Sequence, residues 1–510
     1  MRLKYVYISD YKNLKNFELN FESDSFLDVF VGKNGSGKSN LFEAIIKIFH
    51  HLYEDTEETA NPNFNYKLIY DIDRKSINIS WEKNKKEEYE LKIDGKDRKK
   101  MGETPLPDNL IIYYSGHNEA VTELIENYKI DFKSKIKKAD FEESRKLIGV
   151  GAENKRLLLS VLLLLPPNNP AKNYVCNRLG IVKEAKEIRL TLKRPDYATK
   201  KDVYNVDRFD ESTAYWKAEG NTKAFLDLLE ECLSIDGSSP ARAEGLLPVD
   251  DKYINYYDIA KIREKFSDYS AQDFFRQLDN LETIGMLEDI NLLYNDANGI
   301  PDEIIPHFSD GQFQSVYIYS IAEIFKDRNC ITLLDEPDAF LHPEWQFDFL
   351  KQVFDISKTA TKNNHILMCS HSASTLCNVE EKNINLFTIK NSDVVCERKT
   401  KKEIINELSN SIIQYSEDES KLLINNVIRT SIKPILFVEG ITDVDILNTA
   451  YKKLYPDEDM PILVQDAFDI GFIKILMSRD ELFVNYPDKW FFSLLDFYKA
   501  YEDWSDLGGN

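Results

Sequence analysis

No C-x-x-C pair and no zinc-ligand spacing occurs in this chain of 510 residues, whose six cysteines stand singly at 176, 232, 330, 369, 377 and 396. A disulfide framework and a structural zinc site are thereby excluded, and the thiols read as reduced residues of an intracellular protein. Long apolar runs are also missing. The most apolar stretch, Leu157 to Leu165, is closed by Pro166 and Pro167 and falls far short of the roughly 20 residues of a membrane span, so it reads as a buried helix. The first residues look like a strand and not a signal peptide, and the expected location is cytoplasmic, with no membrane. No heptad repeat is long enough for an extended coiled coil. Positive charge is in deficit: 65 Lys and Arg against 87 Asp and Glu leave −22, which argues against a whole surface that binds nucleic acid non-specifically. A local basic track stays open, at Lys96, Arg98, Lys99 and Lys100 or at Lys133, Lys135, Lys137 and Lys138, although interleaved acids also fit a plain solvated face.

What the chain does contain is a complete phosphate-binding loop. Gly32-Lys33-Asn34-Gly35-Ser36-Gly37-Lys38-Ser39 lies between an apolar strand-like run, Phe26 to Val31, and a helix-like run, Asn40 to Phe49. In such a loop Gly32, Asn34, Gly35 and Gly37 let backbone N–H groups turn onto the β- and γ-phosphates. Lys38 reaches the same oxygens, and the Ser39 hydroxyl can ligate Mg²⁺. Far downstream, Ile331 to Leu334 is an apolar run ending in Asp335 and Glu336, the pattern of a buried parallel strand that delivers acids to its C-terminal edge. Asp335 would hold the Mg²⁺ shell through water, and Glu336 would polarise the attacking water. Ser309-Asp310-Gly311-Gln312 precedes this run, and a further apolar strand, His365 to Cys369, follows it and ends at Ser370-His371-Ser372.

In that order the motifs resemble those of ABC-type ATPases of the branch that holds the SMC and RecF proteins and the OLD (overcoming lysogenization defect) nucleases. Ser309 to Gln312 resembles the signature motif, Asp335 and Glu336 the Walker B pair, Asp338 the start of the D-loop and His371 the switch histidine. The run Asp335 to Pro343 and the opening strand and turn, Leu3 to Leu14, are similar to the OLD and RecF-like forms. The resemblance implies ATP and Mg²⁺ as cofactors and a head-to-tail homodimer, or a higher even oligomer. In it Ser309 and Gly311 of one subunit stabilise charge on the γ-phosphate held by the other. Asp310 stands where the family has a small residue, and no Q-loop glutamine is evident near Ile111 to Asn118.

Near the C-terminus, Pro434 to Val438 is an apolar strand ending in Glu439-Gly440, with a helix-like run from Asp443. It resembles the first motif of a Toprim domain, the Mg²⁺-dependent module of OLD nucleases, topoisomerases and primases, and a second run, Phe491 to Leu495, ends in Asp496. The resemblance implies a metal site from Glu439, Asp443 and Asp496, with Tyr498 where the family's second acid belongs. The blander reading makes Glu439 and Asp443 helix-capping acids.

The expected fold class is α/β: an ABC-type ATPase head, with a mixed sheet and phosphate loop, a helical insertion, and a short Toprim-like α/β segment. The boundaries are 1–119 for the first ATPase part, 120–300 for a mainly helical insertion, 301–400 for the second ATPase part, 401–430 for a helical linker and 431–510 for the Toprim-like part. The function this implies is an ATPase that dimerises around ATP and controls nucleic-acid cleavage in antiphage defence. It would act as sensor or scaffold for a partner nuclease or reverse transcriptase with its nucleic acid, as in Septu-type or retron-associated systems. Two alternatives are an ATP-gated Mg²⁺ nuclease in its own right and a RecF-like DNA-repair ATPase.

Overall fold

Three runs of the sequence, Leu27–Gly32, Cys330–Asp335 and His365–Ser370, are buried along their whole length, as strands are when both sheet faces are covered. In a computed structural model of the chain they form β3, β15 and β16. With β8 (Asn109–Tyr114), β9 (Leu147–Val150), β17 (Ile384–Lys390) and β18 (Asp393–Glu397) they build a seven-stranded sheet in the order β18-β17-β3-β16-β15-β8-β9. Neighbours run parallel except β18 on β17. The structure describes residues 1–21, 26–54, 60–84, 88–114, 119–135, 145–151, 154–181, 184–199, 202–207, 209–234, 245–248, 251–295, 301–303, 310–338, 364–370, 376, 383–390, 393–408, 427–429, 431–456, 458–467, 470–478 and 480–495.

A six-stranded antiparallel sheet joins it. Its strands are β1 (Arg2–Tyr11), β2 (Leu14–Asn20), β4 (Tyr66–Ile72), β5 (Lys75–Lys83), β6 (Tyr89–Ile93) and β7 (Lys96–Arg98), in the order β2-β1-β4-β5-β6-β7. Its strands alternate in burial, β4 strictly so, because one face meets the core. That core runs through helix α1 (Lys38–Tyr53): Leu41, Ile45 and Phe49 share it with Val6 and Tyr66 of the antiparallel sheet and with Phe30, Leu333 and Leu367 of the parallel one. His51 of α1 lies 3.0 Å by Nδ1 from the Tyr66 hydroxyl, and its ring centroid lies 4.5 Å from that of Trp81. Burial lowers its pKa to about 4, so it is neutral near pH 7.

At the N-terminal edge of the parallel sheet the strands are tied by a buried polar cluster. The Leu3 N–H donates to His365 Nδ1 at 3.1 Å, so the proton sits on Nε2 and is given to Asp28 Oδ2 at 3.0 Å. Asn385 donates to the other Asp28 oxygen at 3.2 Å. Both His365 and Asp28 are fully buried, and burial lowers the histidine's pKa against the pull of Asp28.

The segment expected to be mainly helical, 120–300, does carry α2 (Glu119–Lys135), α3 (Lys155–Leu164), α4 (Pro170–Leu179), α5 (Gly220–Glu230), α6 (Ile259–Lys265) and α7 (Ala271–Thr283). The expectation needs correction on two counts. The segment supplies β9 to the parallel sheet. It also supplies β10 (Glu187–Lys193), β11 (Leu246–Leu247), β12 (Lys252–Asp258) and β13 (Leu287–Asn295) to a second antiparallel sheet, in the order β11-β12-β10-β13-β14, that β14 (Pro301–Glu303) completes. A strand signal was present in Glu187–Lys193, where Ile188, Leu190 and Leu192 alternate with polar residues and form the buried face. Leu157 to Leu164 is the buried helix expected. Helix α8 (Asp310–Phe325) follows the second antiparallel sheet.

Residues 405–510 form a second compact unit, and α9 (Lys401–Leu408) spans the division. In it β19 (Ile435–Val438), β20 (Leu463–Asp466) and β21 (Phe491–Leu494) make an all-parallel sheet in the order β20-β19-β21. Helices α10 (Ile441–Leu454), α11 (Ile470–Met477) and α12 (Asp480–Asn485) connect them, and Ile435, Phe437, Ile473 and Leu476 lie in its core. Among the described residues no helix is long and apolar enough to cross a membrane.

The insertion is locked to the parallel sheet by an ion pair. Arg145, just before β9, meets Asp279 of α7 through two contacts, Nε to Oδ2 being 3.1 Å, with both side chains 2% exposed. Asn109 of β8 donates to the Arg145 carbonyl at 3.0 Å. Removing one partner strands a buried charge, so Asp279→Ala is expected to cost about 3–5 kcal/mol, read as a fall in the urea midpoint. A loss below about 1 kcal/mol, the size expected of an exposed pair, would show that the pair does not hold the insertion in place.

Candidate nucleotide site

The C-terminal edges of β3, β16 and β15 lie side by side, and they end there in Gly32, Ser370 and Asp335. Gly32 closes β3 where the chain passes β17: a Cβ on it would stand 2.5 Å from the Phe387 carbonyl oxygen and 2.6 Å from Ser36 Oγ, so only glycine fits. Gly37, at φ +103°, takes the left-handed turn into α1. Helix α1 has no side-chain N-cap, so its first N–H groups and positive dipole end are available to an anion.

Lys38 is 5% exposed and curls back over the loop, its ammonium donating to the Gly32 carbonyl at 2.9 Å and the Lys33 carbonyl at 3.3 Å. Burial lowers its pKa, opposed by Cys369, Glu336 and Asp335. The Ser39 hydroxyl lies 3.4 Å from Asp335 Oδ1, bridging positions 296 apart in the chain. A hydroxyl and a carboxylate oxygen brought together beside a phosphate loop are the hard donors Mg²⁺ prefers, and these residues fit that ion. Glu336 sits at φ +50°, a left-handed conformation that costs a non-glycine residue of order 1–3 kcal/mol and is concentrated at functional sites. Its N–H donates to the Cys369 carbonyl of β16 at 3.2 Å. The Cys369 thiol is buried next to these acids, and burial pushes its pKa well up, helped by Asp335.

Gly311 lies in the first turn of α8. Ser309 and His371 lie outside the described residues, as does 115–118 of the stretch searched for a Q-loop. The remainder of that stretch is β8, next to β15.

The sequence reading gave no role to the β1–β2 turn, which clasps the loop. Asn13 donates to the Gly35 carbonyl at 3.0 Å and accepts from Asn40 at 2.7 Å. The Tyr11 hydroxyl donates to Glu43 of α1 at 2.8 Å, and Lys12 pairs with the same carboxylate. Lys12 at φ +53° forms the tight turn, and an asparagine at such a turn was the available signal.

In the second unit, Glu439 directly follows β19. Asp443 Oδ2 accepts the Gly440 N–H at 3.0 Å, the capping role named as the blander alternative. Asp466, which the sequence reading passed over, ends β20 in register with Val438, so it stands at the same sheet edge as Glu439. It is half-buried, and desolvation raises its pKa. Its signal was weaker than that of Glu439, since Gln465 separates the apolar run Ile462 to Val464 from the acid. Asp496 and Tyr498 lie outside the described residues. Among the described residues no group of three or more His, Cys, Asp or Glu is placed to hold a metal. Of the basic candidates, Lys96 to Lys100 is exposed at the sheet edge, and Lys133 pairs with Asp196 at 3.0 Å.

Residues 1–157 match a protein family described as "AAA ATPase domain", and residues 186–378 match one described as "AAA domain, putative AbiEii toxin, Type IV TA system". Among solved structures, the chain is similar to the SMC head domain from Thermotoga maritima, at 11% identity over 78% of this chain and 100% of that one, with a TM-score of 0.35. It is also similar to the recombination mediator RecF, at 15% identity over 77% and 97% with a TM-score of 0.32. The Smc head domain from Pyrococcus furiosus aligns at 13% identity over 80% and 99%, with a TM-score of 0.34. No curated protein matches the chain. With a complete phosphate loop inside the first matched ATPase domain, and Asp335 and Glu336 inside the second, the chain is an ATPase with an α/β nucleotide-binding fold.

Asn13→Ala removes the brace on Gly35 and is expected to weaken ATP binding about fivefold, the worth of one hydrogen bond of about 1 kcal/mol. Titration calorimetry with a non-hydrolysable ATP analogue measures this, and an unchanged affinity would show that the loop stands without the turn.

Proposed function

We propose that this ATPase dimerises around ATP and uses that switch to control nucleic-acid cleavage in defence against phage, as sensor and scaffold for a partner effector. The observation that carries the ATP-driven part is the meeting of Ser39 with Asp335 beside the buried Lys38 and the strained Glu336. In this reading Lys38 and the loop amides of Gly32, Asn34, Gly35 and Gly37 hold the phosphates. Ser39 and Asp335 would hold Mg²⁺, which would neutralise phosphate charge, and Glu336 takes the proton of the attacking water. Ser309 and Gly311 of a second copy, with His371, complete the site. The γ-phosphate is then the group that favours the closed dimer. The defence role takes its support from the description of the family matched by residues 186–378 as "putative AbiEii toxin, Type IV TA system". The partner class, a nuclease or a reverse transcriptase with its nucleic acid, takes its support from the motif resemblance.

The roles separate by mutation. Lys38→Ala is expected to lose ATP affinity, whereas Glu336→Gln binds ATP and loses hydrolysis by roughly a hundredfold or more, the usual worth of a general base. Ser309→Arg should stay folded and monomeric with ATP and hydrolyse poorly. Light scattering with ATP and with ADP reads the dimer, and rapid hydrolysis by a folded Ser309→Arg protein would remove the shared-site reading.

A second reading, that the chain itself cuts nucleic acid, is favoured by the parallel strands that bring Glu439 and Asp466 to one edge. Two acids supply less charge than a complete two-metal centre needs. The purified chain is therefore expected to leave plasmid and single-stranded DNA or RNA uncut in Mg²⁺ or Mn²⁺, with or without ATP. Cleavage that Glu439→Ala abolishes would replace the scaffold reading with the nuclease one.

A further inference from the structure

We infer that Ser370 is a positioning residue for ATP hydrolysis, acting on Glu336 through Asp338. This rests on the reading of Glu336 as the base. The segment after β15 is pinned to the end of β16 at two points on either side of Pro337. Before the proline, the Glu336 N–H donates to the Cys369 carbonyl at 3.2 Å. After it, the Ser370 hydroxyl donates to Asp338 Oδ2 at 2.5 Å, the length of a hydroxyl held by a carboxylate. Ser370 is fully buried and Asp338 is 2% exposed, so neither group can exchange this bond for water without opening the core.

Between the two pins sits Glu336 at φ +50°. A non-glycine residue persists in that region only where its surroundings over-determine it. Pro337 contributes a fixed φ and no N–H, so the turn draws its fastening from the neighbouring strand. Cys369 and Ser370 are consecutive, and the carbonyl of one and the hydroxyl of the other therefore clamp the carboxylate loop as a unit. Loss of the Ser370 bond removes one of these two pins, and the left-handed turn then has a route to relax toward an ordinary conformation, which moves the point from which the Glu336 side chain starts. The phosphate loop, built on β3 and α1, keeps its own hydrogen bonds.

A residue of this kind affects turnover and not nucleotide affinity. Ser370→Ala is expected to lower kcat by roughly tenfold, since a displacement of the order of 1 Å at a reacting group costs up to about a hundredfold, while KM for ATP changes less than about twofold. Ser370→Thr keeps the hydroxyl and restores most of the rate. In a Glu336→Gln background Ser370→Ala leaves the residual hydrolysis unchanged, because nothing remains to be positioned. In a His371→Ala background it keeps its full effect, which separates Glu336 from the adjacent histidine. Should Ser370→Ala not fold, Asp338→Asn, which keeps the shape and weakens the bond, is expected to show the same loss confined to kcat. A normal kcat in folded variants at both positions overturns the inference, and so does an equal fall in rate with Glu336 present or replaced. A Glu336→Gln protein that hydrolyses ATP normally removes the reading of the base as well. An inactive Glu336→Gln protein beside a fully active Ser370→Ala one removes the inference alone.

Discussion

The hydrogen bond from His365 to Asp28 decides where everything else in the nucleotide unit stands. It joins the start of β16 to the start of β3 in a place closed to water, and Leu3 and Asn385 bring β1 and β17 to the same two side chains. A strand pair that slips by one residue turns every side chain to the opposite face. Here a slip would also leave a histidine and a carboxylate buried without each other. The register fixed at this edge is carried along β16 to the other edge, where Cys369 and Ser370 face the segment that follows Asp335.

At that far edge the balance of charge is what makes the site specific. A buried ammonium is unfavourable unless opposite charge stands near it, and Lys38 has Asp335, at the end of β15, and the adjoining Glu336 as electrostatic neighbours. The acids gain from the lysine in turn. The sheet holds the strand that leads into the phosphate loop and the strand that ends in Asp335 apart by the width of one strand, β16. This is a spacing set by the sheet, which side-chain flexibility cannot adjust.

Much of this was legible in the sequence because strong local patterns coincide with the elements. The phosphate loop, the strand ending at Asp335 and the strand ending at Ser370 each carry a continuous apolar run, which survives any change in the rest of the chain. Ser76–Trp81 and Tyr89–Ile93 each alternate polar and apolar residues, as the strands of a hairpin do, and they pair in β5 and β6. What escaped depended on partners far away in sequence. Asn13 looks like any turn residue until Gly35 and Asn40 are placed beside it. Asp338 stood out by its motif, but its bond to Ser370 is written in neither residue alone. The second antiparallel sheet was missed since its strands, Glu187–Lys193 and Lys252–Asp258, are separated by helical stretches whose period dominates the reading of the segment.

The parallel sheet is assembled from pieces that the chain delivers at widely separated times. Leu110 pairs with Ile331, Val29 with Met368, and the amino terminus of Met1 donates to Asn329 at 3.0 Å. On a ribosome the strand bearing the phosphate loop emerges early and waits, without either permanent neighbour, until the strands around 365–390 have been synthesised, several hundred residues later. Domains usually condense as their sequence appears, and contacts this distant along the chain slow that step. The nucleotide pocket therefore cannot form until those later strands have been synthesised, since the strand that leads into the phosphate loop lacks both its neighbours until then.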